Sequence, residues 1–377
     1  MNRPLIVLAA GGTGGHMFPA EALARALASR GLALALVTDG RGQAFALPGV
    51  DLAVHRVRAA QVAGASLVAK IKAGLQLLAG TGQAWLLLRR LRPAAVVGFG
   101  GYASVPTVLA AQRLGLPVVL HEQNAVLGRA NRLLAGAAHR IASGFAEVEA
   151  VAASDRPKLV HVGNPVRPAI AALAELPYPA FAGTLALLVT GGSQGAGLFS
   201  RVVPEAIRLL PEELRRQLRL VQQVRAEDMT AVRRLYDDLG VAAELSPFFA
   251  DLPEHLGRAH LAIGRAGAST IAETAIAGRP AILVPYALAA DDHQTMNARA
   301  LEAVGAAVVM PEPEFTPGAL AARLQPLLAS PPRLQAMAAK ARQAAMPDAA
   351  EKLAELVLAT VPANGNDSIA PARRSAA

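Results

Sequence analysis

The chain has 377 residues, of which 53% are hydrophobic and 17% charged, and it contains no cysteine. This length and composition predict two globular domains and exclude a disordered chain, while the lack of cysteine excludes disulfides, thiolate metal sites and a cysteine nucleophile. A formal net charge of +9 favours an anionic partner such as a nucleotide, a nucleic acid or an acidic membrane face. Because only 4% of the residues are aromatic, a base-stacking platform is disfavoured and we expect no nucleic-acid partner.

The first half of the chain alternates strand-like and helical patterns. Residues 5–10 predict a buried strand, and the glycine loop after it leads into a helix whose apolar residues recur from Ala20 to Leu27. Further strand-like runs end in polar or glycine-rich turns at residues 32–39, 94–100, 116–123 and 139–144. This alternation predicts an α/β fold with parallel strands and crossover helices.

The second half repeats this scheme, since residues 184–210 again have the pattern of strand, glycine loop and helix. Strands are predicted at residues 218–224, 259–267 and 279–286, helices beyond residue 333, and a disordered tail at 362–377. We place a domain boundary near residue 165. Ligands of such sheets bind at the carboxyl ends of the strands, so the cleft between the halves is the expected active site.

The sequence shows no pattern of a signal peptide at residues 5–10 and no pattern of a membrane-spanning segment. Residues 5–10 are too short for the hydrophobic region of a signal peptide, and they lead into glycines. No apolar run approaches the roughly 20 residues that a membrane-spanning helix needs. We therefore expect a cytoplasmic chain without a transmembrane helix.

Glycine-rich loops follow three of the predicted strands, at residues 11–16, 98–104 and 191–196. Glycine lets another molecule approach the main chain, and the free amide groups at the start of a helix favour an anion such as phosphate. We expect phosphate or diphosphate contacts at two or more of these loops. No loop matches the dinucleotide fingerprint cleanly, although Asp39 at the end of the second strand keeps a nicotinamide enzyme as a rival.

Several polar residues lie next to these loops. His16 could act as a general base or bind a diphosphate, and the alternative is a histidine that caps a turn. Glu273, three residues after Thr270, could accept both hydroxyls of a ribose or complete a helix capping box. The adjacent Asp291 and Asp292 point in different directions on a helix, so we expect no metal site.

Residues 66–92 combine apolar residues at helical spacing with basic ones. The apolar residues are Leu67, Ile71, Leu75 and Leu78, and the basic residues are Lys70, Lys72, Arg89, Arg90 and Arg92. Two interpretations stay open. The segment is either an apolar surface rimmed by cations that binds an anionic bilayer, or a helix packed on the sheet with a solvated basic edge.

Six motifs in order, "GGTGGHMFPA", "GFGGYASVP", "HEQNAVLGRANR", "GNPVR", "GGSQGA" and "GASTIAETAIAGRPAILVPY", resemble the MurG family of N-acetylglucosaminyltransferases. The resemblance implies a GT-B fold: two Rossmann-like domains, 1–165 and 166–342, that face each other across a deep cleft, with a helix near 343–361 that completes the first. It also implies inverting transfer of N-acetylglucosamine from UDP-N-acetylglucosamine to the C4 hydroxyl of a lipid-linked muramyl-pentapeptide, without a metal or another cofactor. The cytoplasmic face of the inner membrane, which is anionic, and other cell-wall synthesis proteins are the partners that the resemblance adds.

Carried over motif by motif, the resemblance implies roles for particular residues. His16 would be the general base or the partner of the acceptor diphosphate, with Glu122 as the reserve base. Phe249 stands where the family has an aliphatic residue, and His293 where it often has a glutamine. The substrate-binding residues would be Thr13, Gly14, Gly15, Asn124, Arg167, Ser193, Phe249, Ala268, Ser269, Thr270, Ile271, Ala272, Glu273 and Gln294.

Other functions remain on the same scaffold. A UDP-N-acetylglucosamine 2-epimerase would use the same donor and no acceptor, and a related glycosyltransferase would use another lipid. A nicotinamide-dependent oxidoreductase and a non-catalytic nucleotide-sugar-binding protein are the alternatives from other classes.

Overall fold

The computed structural model describes residues 3–12, 14–39, 49–50, 52–59, 67–191 and 196–362. Within these ranges the chain forms two parallel sheets with helices between the strands, as the alternating pattern predicts. The predicted disordered tail lies outside the described residues from position 363 onward.

The sheet of the amino-terminal half is built from aliphatic strands. In chain order these are β1 (Leu5–Ala9), β2 (Ala33–Thr38), β3 (Leu52–Arg56), β4 (Ala95–Gly98), β5 (Val118–Glu122), β6 (Arg140–Ser143) and β7 (Leu159–His161). Their order across the sheet is β3-β2-β1-β4-β5-β6-β7. The helices of this half are α1 (Gly14–Ser29), α2 (Leu67–Leu91), α3 (Gly101–Arg113) and α4 (Arg129–Ala135).

The carboxyl-terminal half repeats the arrangement. Its strands are β8 (Leu185–Thr190), β9 (Leu218–Gln223), β10 (Ala242–Ser246), β11 (Leu261–Gly264), β12 (Ala281–Leu283) and β13 (Ala307–Val309), in the order β10-β9-β8-β11-β12-β13. Its helices are α5 (Pro168–Ala171), α6 (Ala196–Arg208), α7 (Glu212–Gln217), α8 (Met229–Asp238), α9 (Leu252–Arg258), α10 (Ala268–Ala277), α11 (His293–Ala303), α12 (Pro317–Leu328) and α13 (Pro331–Gln343), and the last described helix is α14 (Ala349–Thr360).

The strand order of each sheet reverses at one pair of central strands. β1 pairs with both β2 and β4, and β8 pairs in the same way with β9 and β11. The chain therefore leaves the neighbouring strands β1 and β4 in opposite directions, which opens a crevice at their carboxyl ends. The glycine-rich segments 11–16, 98–104 and 191–196 follow β1, β4 and β8 along the chain, and the described residues Gly11, Gly12, Gly100, Gly101 and Gly191 lie where these strands end at the crevices; residues 13 and 192–195 lie outside the described part.

The last described helix, α14, packs on the amino-terminal half. Leu353 and Val357 are fully buried in the same cluster as Leu23 and Leu27 of α1. An ion pair of 2.6 Å between the side chains of Arg30 and Glu351 lies beside this contact. The chain thus returns from the second sheet to the first.

Helix α2 has one buried face and one apolar exposed face. Ala84 and Leu88 pack in the core, whereas Leu75 and Leu78 are 62% and 71% exposed. The packing of this helix on the fold is therefore confirmed, and the helix also presents apolar side chains to the outside, while binding to a bilayer stays a prediction. Three residues have side chains outside the described part: Leu67, Val68 and Lys70. No helix of the described ranges combines the length and apolar character needed to cross a bilayer.

Candidate active site

His16 lies at the start of α1 and packs against the glycine turn that follows β4. A Cβ atom on Gly101 would lie 3.2 Å from the ring Nε2 of His16, and one on Gly100 would lie 3.6 Å from its Cε1. Gly100 and Gly101 have positive φ angles of 77° and 68°, which residues with a side chain adopt only with strain. The turn "GFGGY" is thus shaped to receive His16, which lines a cavity of about 210 Å³ between the two halves.

Glu122, at the end of β5, is buried and fully occupied by hydrogen bonds. Its Oε1 accepts from the backbone and side-chain nitrogens of Asn124, at 3.0 and 3.2 Å. Its Oε2 accepts from the backbone N–H of Gly128 and from Asn131 Nδ2, both at 2.8 Å. Both carboxylate oxygens are committed to holding the loop that follows β5, which favours a positioning role for Glu122 over proton abstraction.

The side-chain amides of Asn124 and of two residues on α11, Asn297 and Gln294, lie beside this loop. Asn124, from the loop after β5, receives a hydrogen bond from Asn297 Nδ2 on α11 at 3.1 Å. Gln294, on the same helix, accepts a hydrogen bond of 3.0 Å on its Oε1 from the backbone N–H of Tyr286. This contact fixes the Gln294 amide and leaves its Nε2 group free to donate to a ligand.

A larger cavity of about 580 Å³ lies above the carboxyl ends of β8 and β11. Glu273 of α10 lines it, with its Oε1 3.7 Å from the Arg167 guanidinium. Burial raises the pKa of the Glu273 carboxyl to about 7, while the nearby Arg167 charge acts in the opposite direction. The Arg167 guanidinium also lies 5.1 Å from the ring centre of Phe18 on α1, so this arginine contacts both halves.

The capping-box interpretation of Thr270 and Glu273 is wrong. Helix α10 begins at Ala268 with Gly267 as its N-cap, so Thr270 lies inside the first turn and caps nothing. Glu273 therefore has no capping role, and its side chain is available to the cavity that it lines.

Aromatic side chains line one part of the larger cavity. Phe249 is buried with its ring edge-on to His255, at 4.9 Å between ring centres, and His255 Nε2 lies 3.2 Å from the Asp251 carboxylate. Phe248, its neighbour, is 73% exposed and also lines the cavity. Both rings therefore line the cavity, and an aromatic ring is a surface on which a nucleobase can pack.

The predicted site residues fall into groups. Those that line one of the two cavities are Gly15, His16, Glu122, Asn124, Arg167, Phe249, Ser269, Thr270, Glu273 and Gln294. The side chains of Ala268 and Ile271 pack into the core instead, so only their backbone can reach a ligand. Gly14 begins α1 and Ala272 packs at the margin of the core, while Thr13 and Ser193 lie outside the described residues.

The site also contains residues that the sequence patterns did not predict. Asp291 does not pair with Asp292 but accepts from Arg129, at 2.9 Å, and from Arg132, across the cleft. Arg265 pairs with Glu312 at 2.9 Å, and Glu312 also accepts from the backbone N–H of Ala287. Within the described ranges, no three histidine or acidic side chains come together as a metal site would require.

Two family models match the chain. The model for the glycosyltransferase family 28 N-terminal domain matches residues 6–143, and the model for the C-terminal domain of that family matches residues 186–353. The first match covers the amino-terminal sheet from β1 to β6 with its glycine loops, and the second covers the carboxyl-terminal sheet with its glycine loop. Fold and site thus define the class: a glycosyltransferase with two parallel α/β sheets around a nucleotide-sized cleft.

The most informative relatives narrow this class. A UDP-N-acetylglucosamine–N-acetylmuramyl-(pentapeptide) pyrophosphoryl-undecaprenol N-acetylglucosamine transferase of Rhodospirillum centenum is 57% identical over 360 residues, which is 95% of each chain. The crystal structure of Acinetobacter baumannii MurG is similar with a TM-score of 0.78 and 30% identity, over 94% of this chain and 99% of that one. The chain belongs to the MurG family of N-acetylglucosaminyltransferases, as its motifs predict.

A more distant neighbour shows the fold alone. The structure of a putative UDP-N-acetylglucosamine 2-epimerase from Listeria monocytogenes has a TM-score of 0.63 but only 15% identity, over 93% of this chain and 95% of that one. Such likeness confirms the shared two-sheet architecture and does not extend to activity.

Proposed function

We propose that the protein transfers N-acetylglucosamine from UDP-N-acetylglucosamine to the C4 hydroxyl of the muramyl residue of undecaprenyl-pyrophosphoryl-MurNAc-pentapeptide. The observation that carries this proposal is the cleft itself, in which Glu273 and Arg167 line one cavity while Asn124 and His16 line the other. The 57% identity to a transferase named for this reaction supports it. Residues 1–165 with α14 would form the acceptor side, and residues 166–342 the donor side.

The larger cavity would hold the nucleotide. A single carboxylate can accept hydrogen bonds from both hydroxyls of a ribose, and Glu273 is the acidic side chain among the described residues of its lining. The guanidinium of Arg167 lies 3.7 Å from Glu273 and would turn toward the bound diphosphate to bind its negative charge. The amide groups of Ala268, Ser269 and Thr270 at the start of α10 would add the positive end of the helix dipole. The next N–H, that of Ile271, already donates to the carbonyl of Gly267. Phe249 would pack against uracil, and Ser193 would contact the diphosphate.

The sugar would lie where the two cavities meet. Asn124 and Gln294 offer amide groups from opposite halves, and each amide has a fixed partner on the protein side. The remaining N–H donors of the two amides are then already oriented toward the sugar hydroxyls, so binding costs little side-chain entropy. Thr13, Gly14 and Gly15 would bring the main chain close to the donor and acceptor groups.

Transfer would be a single displacement. The acceptor oxygen attacks the anomeric carbon, the bond to the diphosphate oxygen breaks, and UDP leaves with the electron pair, so the configuration inverts. Charge on the departing UDP would be met by Arg167 and by the amides of the helix start, without a metal. The proton of the attacking hydroxyl would pass to His16, which would act as the general base. A positioned general base typically raises the rate of such a step by about 10²- to 10⁴-fold. The alternative role for His16 is a hydrogen bond to the acceptor diphosphate.

The acceptor is a lipid, and α2 offers a surface for its membrane. Leu75, Leu78 and Leu86 are exposed on this helix, and Arg89 lies over the Trp85 ring at 4.6 Å at its carboxyl end. We place this face on the anionic cytoplasmic surface of the inner membrane, where apolar side chains enter the interface and cations contact phosphates. The protein would thus be a peripheral membrane enzyme.

The test is UDP release from UDP-N-acetylglucosamine, with and without a short-chain lipid-linked muramyl-pentapeptide. Release that requires the acceptor supports the proposal. Release without acceptor would instead indicate an epimerase or a hydrolase, and UDP binding without release would indicate a binding protein.

A further inference from the structure

One fully buried side chain joins the two halves beside the sugar position. Asn297 lies on α11, and its Oδ1 accepts a hydrogen bond of 2.8 Å from the backbone N–H of Ala125. Its Nδ2 donates to Asn124 Oδ1 and to the carbonyl of Ala266, each at 3.1 Å. A reversed amide would place its oxygen against two acceptors and its NH₂ against a donor, so this orientation is the only one that satisfies all three contacts.

The contact with Asn297 determines how Asn124 presents its amide. Asn297 occupies the Asn124 oxygen from one side, and Glu122 Oε1 accepts from the Asn124 nitrogen at 3.2 Å on the other. Asn124 is thereby held at both ends of its amide, with one N–H still unused. Glu122 selects the nitrogen end of this amide, and Asn297 holds the oxygen end in place, so without Asn297 the Asn124 amide would be held from one side only among its described contacts.

We propose that Asn297 is a positioning residue for the transferred sugar and acts through Asn124. This inference rests on the proposed function, in which Asn124 contacts the donor sugar. Asn297 is absent from the described lining of either cavity, so it reaches the substrate only through its neighbour. The nucleotide contacts of Arg167 and Glu273 lie in the other cavity and do not involve it.

The position of Asn297 also makes it a connection between the halves. Ala125 and Asn124 belong to the amino-terminal half, and Ala266 belongs to the loop after β11 in the other. A purely structural connection would affect nucleotide and sugar alike. A positioning residue would affect the sugar alone, and this difference decides between the two roles.

The experiment compares the affinities for UDP-N-acetylglucosamine and for UDP by calorimetry in Asn297→Ala, Asn297→Asp and Asn124→Ala. Asn297→Asp keeps the volume and the acceptor for Ala125 but turns an oxygen toward Asn124 Oδ1, so it serves where Asn297→Ala does not fold. We expect either variant to bind the nucleotide sugar about tenfold or more weakly and to bind UDP within about twofold of the parent. In the Asn124→Ala background, Asn297→Ala should cause no further loss. Arg299→Ala, at an exposed position of the same helix, is the matched control and should change neither affinity.

Parallel loss of both affinities would overturn the proposal, as would unchanged binding of the nucleotide sugar. Equal losses with and without Asn124 would also overturn it, because Asn297 would then act independently of that residue. These binding measurements need no acceptor, so they stand apart from the transferase assay. If the unsubstituted protein bound the sugar nucleotide but transferred nothing, the proposed function would fail while the role of Asn297 would still be measured.

Discussion

The guanidinium of Arg167 lies 3.7 Å from the carboxylate of Glu273, and the same guanidinium lies over the ring of Phe18 from the opposite half. Burial raises the pKa of Glu273 to about 7 despite this cation. The acid that would bind the ribose is therefore costly to ionise in the free protein. A ligand with two hydroxyl donors would supply what the cavity lacks.

Glu273→Gln should stabilise the free protein and weaken nucleotide binding. Because the folded-state pKa is raised from 4.5 to about 7, the folded protein holds a proton that the unfolded chain releases, and stability is lost as pH rises through this window. Glutamine does not titrate and so has no such loss; the variant should therefore be more stable than the parent by on the order of 3 kcal/mol at pH 8 and by little at pH 4.5. Denaturant unfolding at both pH values checks the gain, and UDP titration checks the loss of affinity. Glu254→Gln, at an exposed site, is the control. A variant equally stable at pH 8, or with unchanged UDP affinity, would contradict this.

Gly101→Ala should lower turnover by displacing His16. Its Cβ would meet the imidazole at 3.2 Å, and its φ of +68° adds strain. Gly115 is the matched control, because it has the same φ and a Cβ atom at this position would have nothing within 4 Å. Both alanine variants should lose about 1 kcal/mol of stability, while only Gly101→Ala should lose kcat, by about tenfold or more. His16→Ala should lose at least as much kcat. If Gly101→Ala and Gly115→Ala had the same kcat, the placement of His16 in the reaction would be wrong.

His121 should make the fold sensitive to acid. It is fully buried between Gln123 Nε2, at 3.0 Å, and the carbonyl of Gly163, and burial lowers its pKa from 6.5 to about 4. The unfolded chain binds the proton first as pH falls below 6.5, so stability is lost between pH 6.5 and 4. The loss should be on the order of 3 kcal/mol larger in the parent than in His121→Gln, as measured by denaturant unfolding across this range. Burial also lowers the pKa of His260, but this residue is present in both proteins, so its effect on stability cancels in the comparison. Parallel pH profiles for the two proteins would show that His121 is not held neutral.

The exposed face of α2 should bind anionic vesicles. Leu75→Ser combined with Leu78→Ser removes two exposed leucines and should weaken flotation with phosphatidylglycerol vesicles by about tenfold or more. Leu209→Ser, at an exposed leucine of the other half, should leave flotation unchanged. Lys72→Ala with Arg89→Ala and Arg90→Ala should reduce binding most at low salt. Flotation of all variants equal to that of the parent would refute the placement of this face on the membrane.

The central strands were predictable from sequence and the edge strands were not. β1, β4 and β8 are largely aliphatic and β5 begins with three aliphatic residues, because a strand buried on both faces favours apolar side chains. The strands missed by the pattern are β3, β7, β10 and β13, which are the outermost strands of the two sheets. Most of their residues are exposed or half-buried; β3, β7 and β10 mix polar and apolar residues, and β13 is an apolar strand of three residues, too short for a strand signature.

Parts of the site that consist of residues close together in the sequence could be predicted. The glycine loops carry their own signal, and the strands that precede them, β1, β4 and β8, end at the crevices, while the phosphate contacts expected there stay a prediction. The link from Asn297 to Asn124 could not be predicted, because 173 positions separate the two residues and only the tertiary fold brings them together. The same holds for Arg129 and Asp291. Asn297 did carry a weak signal, since it lies one helical turn after Gln294.

The most direct test of the central claim is the product of the complete reaction. Labelled UDP-N-acetylglucosamine is incubated with the lipid-linked muramyl-pentapeptide, and the lipid fraction is hydrolysed and analysed for its sugar. We predict a β-linked N-acetylglucosaminyl-muramyl-pentapeptide, formed in step with UDP release. Label found in free N-acetylhexosamine instead of the lipid fraction, or a disaccharide with retained α configuration, would contradict the proposed inverting transfer.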